Sequence, residues 1–242
     1  IRDSFQGLEL MPRKAEGGPG SAELGSSADE PQNPEMSAEA PVEMRFAAEA
    51  ARKLVRDYDF STVLDVGAGD GSHTRFFRDH GKAVTAIDIG ASIYFEERRS
   101  DYAAIEGDFM STEIAQKFDC VWASHVLEHQ ANPGLFLSRC IEQLHPDGIL
   151  AVTVPPLKHE IVGGHLTLWN AGLLLYFLAF IGLDCSKAAV KTYGYNVSII
   201  VRKKMRPDVP LVCDSGDIER LRGYFPFPVE EGFDGRVAAC NW

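Results

Sequence analysis

Three glycines at alternate positions, Gly67, Gly69 and Gly71, follow a short apolar run that contains Asp65. Glycine has no Cβ, so it allows a sharp turn and a close approach of the backbone to a ligand. Ser72 follows directly, and serine is a residue type that caps the start of a helix. A strand, a glycine-rich turn and a helix in this order predict a ligand-binding loop, although a purely structural turn would use the same residues.

Acidic residues end the next two apolar runs. Asp88 lies about twenty residues after the glycines, where a carboxylate can accept hydrogen bonds from both hydroxyls of a ribose. Asp108 and Phe109 follow the third run, and an acid beside an aromatic ring suits the amino group and the face of adenine. A solvated acid at the end of a strand is the structural alternative for Asp88.

The elements that must position these residues show a regular alternation of short apolar runs and helical stretches. The runs cover residues 62–66, 83–87, 102–106, 118–124 and 149–154. Helical patterns begin at Ser72 and Ala91, and a third covers residues 133–144. This order predicts an α/β fold with a parallel sheet covered on both faces, and β-rich runs at 185–193 and 195–202 predict an antiparallel finish. We expect a Rossmann-like doubly wound sheet of seven strands, the last of them antiparallel.

Composition divides the chain into three parts. Residues 1–40 are rich in Gly, Pro, Ser, Ala and Glu and predict a disordered tail. A domain should cover residues 41–204, and the proline-containing segment 205–242 should pack on it as an irregular extension. The apolar stretch 171–183 is too short to span a bilayer, which needs about 20 residues, so a buried core helix is expected, with attachment to a membrane surface as the alternative.

Charge and cysteine content exclude several classes of function. The formal net charge of -11 argues against a nucleic-acid surface, which needs a cluster of basic residues. Five widely separated cysteines, none in a Cys-x-x-Cys pair, predict neither a disulfide framework nor a zinc site. We therefore expect a cytoplasmic protein, and no secretory leader pattern is seen at its start.

The ordered motifs resemble the class I S-adenosylmethionine-dependent methyltransferases, especially the small-molecule group called types 11 and 23. The resemblance covers about residues 62–202. It includes the sequence FDCVWASHVLEH at 118–129 and LHPDGIL at 144–150, where relatives usually have a Leu-Lys-Pro-Gly-Gly type of turn.

This resemblance implies S-adenosylmethionine as the cofactor. It places cofactor-binding positions at Asp65, Gly67, Ala68, Gly69, Asp88, Ile89, Asp108, Phe109 and Ser124. Asp65, Gly67 and Gly69 would hold the methionine portion. Asp88 would hold the ribose, and Asp108 with Phe109 would meet the adenine. Ser124 and His125 would line the side from which the methyl group leaves.

Two other ligand classes fit the sequence less well. Dehydrogenases use a Gly-x-Gly-x-x-Gly spacing, whereas the glycines here alternate evenly, which argues against a nicotinamide cofactor. The segment His125-x-x-Glu128-His129 matches the inverted zinc-protease signature. Pro133 follows almost at once and leaves little room for a helix, so no metal site is predicted.

Histidines supply the candidate catalytic groups, because imidazole takes up a proton near neutral pH. We expect His125 or His165 to assist deprotonation of an acceptor hydroxyl, with a packing role as the alternative for each. The acceptor is predicted to be a small molecule, a sugar or lipid-linked glycan, which would allow peripheral membrane contact. A quinone or phenol acceptor and a non-catalytic, cofactor-binding regulatory subunit are the alternatives.

Overall fold

A computed structural model describes residues 44–91, 93–96 and 104–242 of the protein. Its strands are β1 Thr62–Val66, β2 Ala83–Asp88, β3 Ala104–Glu106, β4 Phe118–Ser124, β5 Leu144–Val154, β6 Ala189–Tyr193, β7 Asn196–Arg202 and β8 Ala239–Cys240. Its helices are α1 Ala48–Asp57, α2 Ser72–Asp79, α3 Ile93–Glu96, α4 Pro133–Glu142, α5 Ala171–Phe180 and α6 Asp217–Leu221. Short 3-10 turns occur at Leu127–His129 and Arg222–Tyr224.

The strands form one sheet with the order β3-β2-β1-β4-β5-β7-β6-β8. The first five strands pair in parallel, and β7 runs antiparallel to both β5 and β6. The predicted Rossmann-like sheet with an antiparallel seventh strand is therefore confirmed. An eighth strand was not predicted: β8 has two residues and pairs antiparallel with β6. Two residues are too few to give an alternating sequence pattern.

The sheet is buried on both faces, and β4 shows how the sequence achieves this. Cys120 and Trp122 belong to the core cluster packed by α1 and α2, whereas Val121 and Ala123 belong to the larger cluster that includes α4 and α5. Successive side chains of a strand point to opposite faces, so a continuous apolar run fills both layers. The carboxyl ends of the strands are thus held at one edge of a rigid core.

Helix α5 is a core helix, as its sequence predicts. Its buried residues lie in the larger core cluster, and Asn170 caps its start by accepting a hydrogen bond from the N–H of Leu173. A Cβ on Gly172 would lie 2.4 Å from the Cα of Gly235, so the C-terminal segment packs closely against this helix. Among the described residues, no helix has the length and apolar character needed to cross a membrane.

The C-terminal segment contributes to the core rather than only covering it. Leu221, Phe225 and Val229 are buried in the larger cluster, and the segment contains α6 and β8. The predicted tail at residues 1–40 lies outside the residues that the structure describes, as does part of the third predicted strand. The division into a tail, a domain and an extension stays a prediction.

Candidate functional site

A cavity of about 650 Å³ opens at the carboxyl ends of the parallel strands. Here the strand order reverses between β1 and β4, which is where open α/β sheets bind ligands. Its volume lies within the range of small-molecule sites. All but one of the residues predicted from the sequence line it, namely Gly67, Ala68, Gly69, Asp88, Ile89, Asp108, Phe109, Ser124, His125 and His165.

The glycine-rich loop needs glycine at Gly67 for two reasons. Its φ of +73° lies in the left-handed region, and a Cβ there would lie 2.2 Å from Cγ2 of Val126. The N–H groups of Gly67 and Ala68 both donate to the carbonyl of Ile87, at 2.8 and 3.2 Å. The loop is thereby fixed between the ends of β1 and β2.

The start of α2 corrects the expectation that Ser72 caps it. Gly71 is the N-cap residue, and Ser72 is already the first helical residue. The cap comes instead from Asp70, whose Oδ1 accepts a hydrogen bond of 2.9 Å from the N–H of Ser72. A carboxylate two residues earlier makes the same kind of bond as a serine hydroxyl, so sequence alone did not separate the two.

Asp65 is the predicted residue that does not line the cavity. Its side chain is 1% exposed, and Oδ2 accepts a hydrogen bond of 2.6 Å from Oγ1 of Thr74. Burial in this apolar position raises the pKa of Asp65 to about 7, with the charges of Asp88 and Asp70 adding to the rise. Asp65 therefore supports the loop from beneath by joining β1 to α2.

Asp88 faces the cavity and holds two backbone turns together. Its Oδ2 accepts from the N–H of Gly69 at 2.9 Å, and its Oδ1 accepts from the N–H of Gly90 at 3.0 Å. Each carboxylate oxygen can accept more than one hydrogen bond, so both keep capacity for ligand hydroxyl groups.

Phe109 and Asp108 differ in how firmly they are held. Phe109 is buried and packs edge-on against Phe136, with ring centroids 5.6 Å apart. Arg139 lies on the same ring, with Cζ 5.2 Å from its centroid. Asp108 is exposed, and its Oδ1 accepts from the N–H of Met110 at 2.9 Å. The ring thus forms a fixed wall, and the carboxylate lies at the rim.

Ser124 ends β4 beside the cavity and has a buried hydroxyl without a hydrogen-bond partner among the described residues. A buried hydroxyl costs free energy unless it is bonded, so its position favours a ligand or a water molecule as partner.

His125 has both ring nitrogens directed at oxygen atoms. Nε2 lies 3.0 Å from Oδ1 of Asn196, an atom that also accepts from the N–H of Ala47, so Nε2 is the donor. Nδ1 lies 3.3 Å from Oε1 of Glu128, although outside hydrogen-bond geometry. The backbone φ of His125 is +56°, which is uncommon for a residue with a side chain. His125 is therefore a fixed residue of the cavity wall.

His165 lies near His129 and Glu128 in the wall of the same cavity. The rings of His129 and His165 are perpendicular, with centroids 5.0 Å apart. Nε2 of His129 lies 3.8 Å from Oε1 of Glu128. Burial lowers the pKa of His165 below its usual range. Neither ring nitrogen of His165 makes a hydrogen bond within the described part of the chain.

Several lining residues were missed as site residues by sequence analysis. Phe46 and Tyr195 both lie beside the ring of His125, with centroid separations of 4.3 and 5.9 Å, and their own centroids are 6.3 Å apart. Arg45 lies over the ring of Tyr94, with Cζ 5.1 Å from its centroid. Nothing in the local sequence marked these four residues as members of the site.

Comparison with known proteins identifies the domain. Residues 64–152 match the family model described as a methyltransferase domain. The chain is 31% identical over 112 residues to a malonyl-[acyl-carrier protein] O-methyltransferase of Enterobacter lignolyticus, covering 45% of each protein. It is 36% identical over 116 residues to a ubiquinone biosynthesis O-methyltransferase of Caulobacter vibrioides, again covering 45% of each. These matches thus span less than half of the relatives' length.

A solved structure shows the same fold. The structure of the amino pentose methyltransferase CalS10 from Micromonospora echinaspora, with S-adenosylmethionine bound, has a TM-score of 0.51 and 14% identity. The match covers 65% of this chain and 89% of that one. Fold, site and family model together define a Rossmann-like cofactor-binding domain. Residues 64–152 match the methyltransferase family model, and the described sheet has the fold of class I, S-adenosylmethionine-dependent methyltransferases.

Proposed function

We propose that the protein transfers the methyl group of S-adenosylmethionine to an oxygen atom of a small-molecule acceptor. The observation that carries this proposal is a cavity lined by two chemically different groups of residues. One group is the glycine-rich loop with Asp88, and the other is Glu128, His129 and His165.

The glycine-rich loop and the residues beside it fit S-adenosylmethionine. Gly67 and Gly69 would approach the methionine portion, and Asp88 would accept hydrogen bonds from the ribose hydroxyls. The ring of Phe109 would cover the adenine, with Asp108 at its amino group. Ala68 and Ile89 would add backbone and apolar contacts, and the unpaired hydroxyl of Ser124 would gain a partner, as the buried position of its Oγ requires.

When bound, S-adenosylmethionine supplies a methyl group that its sulfonium already makes reactive, so alignment of the acceptor is the main task of the protein. His165 would receive the acceptor hydroxyl, because its ring nitrogens have no hydrogen-bond partner within the described chain. His125 is less suited to take the proton, since its Nε2 donates to Asn196 and its Nδ1 faces Glu128. The contacts therefore favour His165 over His125.

The acceptor class is a finer part of the proposal. We retain a sugar or lipid-linked glycan hydroxyl as the first candidate, because Glu128, His129 and His165 give the cavity wall several polar groups that can bond hydroxyls. The second candidate is a phenol or quinol hydroxyl, which the aromatic wall of Phe46 and Tyr195 favours by offering ring faces. Both relatives described above are named as O-methyltransferases, which supports oxygen as the attacking atom.

Acceptor panels with methyl-labelled cofactor test this function. The purified protein should bind S-adenosylhomocysteine in a calorimetric titration and should transfer label to one panel: sugars and lipid-linked glycan extracts, or phenols and quinols. Transfer only to phenols would reject the glycan. Saturable binding with no transfer to any acceptor would favour a regulatory subunit, and a folded protein that does not bind the ligand would overturn the proposal.

A further inference from the structure

Glu128 is a buried carboxylate whose charge has no hydrogen-bonded partner. The residue is 0% exposed, and neither Oε1 nor Oε2 accepts a hydrogen bond within the described residues. A buried charge is costly unless it is paired or bound to a metal. The groups nearest to it are ring nitrogens of histidines, which lie 3.3 Å (Nδ1 of His125) and 3.8 Å (Nε2 of His129) from Oε1.

The hydrogen bonds of these two histidines determine whether each ring presents a proton or a lone pair to the carboxylate. Nδ1 of His129 lies 2.9 Å from the carbonyl oxygen of Gly164, so this nitrogen carries a proton, and in a neutral ring Nε2 presents a lone pair. The bond from Nε2 of His125 to Asn196 similarly leaves a lone pair on Nδ1. A carboxylate that faces two lone pairs is repelled by both, and a cation bound beside them would remove this repulsion.

We propose that Glu128, His129 and His165 bind a divalent cation of the zinc class. One ligand atom from each residue lies within 4.8 Å of the other two. Zinc binds imidazole nitrogen and carboxylate oxygen at about 2.0–2.2 Å, so the three groups need to move by about an ångström. The bond of His129 to Gly164 is the outer contact that usually orients a metal-bound histidine.

This set differs from the zinc-protease signature that the sequence contains. In that signature both histidines bind the metal from one helix, but here Leu127–His129 is a single 3-10 turn and His125 donates to Asn196. The third ligand comes instead from His165, in the loop that follows β5. Three protein ligands leave one position open toward the cavity, which is the arrangement of a site that binds a further molecule.

The open position would allow the cation to bind the acceptor oxygen. This step of the inference rests on the proposed methyl transfer. A hydroxyl oxygen bound there would lose its proton more readily, because a divalent cation stabilises the oxyanion. His165 would then act as a ligand of the cation. Acceptors with an accessible hydroxyl or phenol oxygen would be selected.

Zinc binding by the whole chain tests the site without any acceptor. Protein stripped with a chelator is titrated with zinc chloride, and cobalt is added separately to record its visible absorption. A Cys213→Ser background removes an exposed thiol, a group that competes for zinc. We expect one equivalent of zinc, and Glu128→Gln, His129→Ala and His165→Ala should each weaken binding at least tenfold. His159→Ala, which removes an exposed histidine from the same loop, should bind zinc as the parent does.

The result of the zinc titration can be distinguished from a failure of the proposed methyl transfer. Parent protein that takes up no zinc, or variants that all bind like His159→Ala, would overturn the metal site and leave a proton as the charge that balances Glu128. Since His165 lies in a loop, its variant decides the question if Glu128→Gln does not fold. Titration of the same samples with S-adenosylhomocysteine reports independently on the cofactor end.

Discussion

The carboxylate of Asp88 accepts a hydrogen bond of 2.9 Å from the N–H of Gly69, which joins the end of β2 to the glycine-rich loop. The residue proposed to hold the ribose therefore also fixes the loop proposed to hold the methionine portion. Cofactor recognition and loop geometry are coupled through one side chain.

Replacement of Asp88 should consequently weaken cofactor binding strongly. Asp88→Ala removes two acceptor oxygens, and a hydrogen bond to a charged group contributes roughly 1.5–3 kcal/mol. We expect the Kd for S-adenosylhomocysteine to rise by at least about tenfold in a calorimetric titration. Asp79→Ala, which changes an exposed acid at the end of α2, should leave the Kd unchanged. Equal affinity of Asp88→Ala and the parent would contradict the proposed ribose contact.

Gly67 should tolerate no side chain. Gly67→Ala combines a positive φ with a Cβ that meets Val126, whereas Gly81 has a φ of +74° and nothing within 4 Å. In urea unfolding, we expect Gly81→Ala to lower the free energy of unfolding by about 1 kcal/mol, from backbone strain alone. Gly67→Ala should lower it by about 1–3 kcal/mol more, because of the clash with Val126.

Val126→Ala supplies the matched test of that clash. Combined with Gly67→Ala, it should recover part of the lost free energy of unfolding, because it removes the Cγ2 atom that the new Cβ meets. A double-mutant cycle that shows purely additive effects would assign the whole cost to the backbone.

Asp65 should make stability fall as pH rises. Its folded-state pKa of about 7 lies above its ordinary value of 3.8, so between these values the folded protein holds a proton that the unfolded chain has released. The free energy of unfolding then decreases with rising pH across this window. The side chain of Asp65→Asn does not titrate in this range. The free energy of unfolding of the parent should therefore fall by up to about 4 kcal/mol relative to that of the variant between about pH 4 and pH 7. Urea midpoints of both proteins across this range measure it, and parallel curves would exclude the raised pKa.

The two candidate catalytic histidines should respond differently to truncation. His165→Ala should lower kcat by about 100-fold or more, the usual range for loss of a group that assists proton removal, while the Kd for S-adenosylhomocysteine changes little. His125→Ala should lower kcat less and reduce stability, because it removes a ring that packs against both Phe46 and Tyr195. Turnover that is unaffected in His165→Ala would exclude its proposed role.

Local sequence patterns predicted much of the fold. Apolar runs of the right length predicted the parallel strands, and the antiparallel seventh strand is confirmed. The start of α2 was predicted less well, because Ser72 and Asp70 offer equivalent capping oxygens and only the backbone geometry selects Asp70. The strand β8 left no signal, since its pairing with β6 depends on where the C-terminal segment lies.

Sequence by itself determined that Gly67, Asp88 and Phe109 line one cavity, because they lie at or just after the ends of consecutive strands of one parallel sheet, and such strands must bring their carboxyl ends together. Only the tertiary structure decided that Asp65 lies beneath the loop, that His125 is held by Asn196, and that Glu128 faces His129 and His165. Those contacts join residues that are distant in the chain, and they depend on the paths of loops and on hydrogen bonds to backbone carbonyls, neither of which a local pattern specifies.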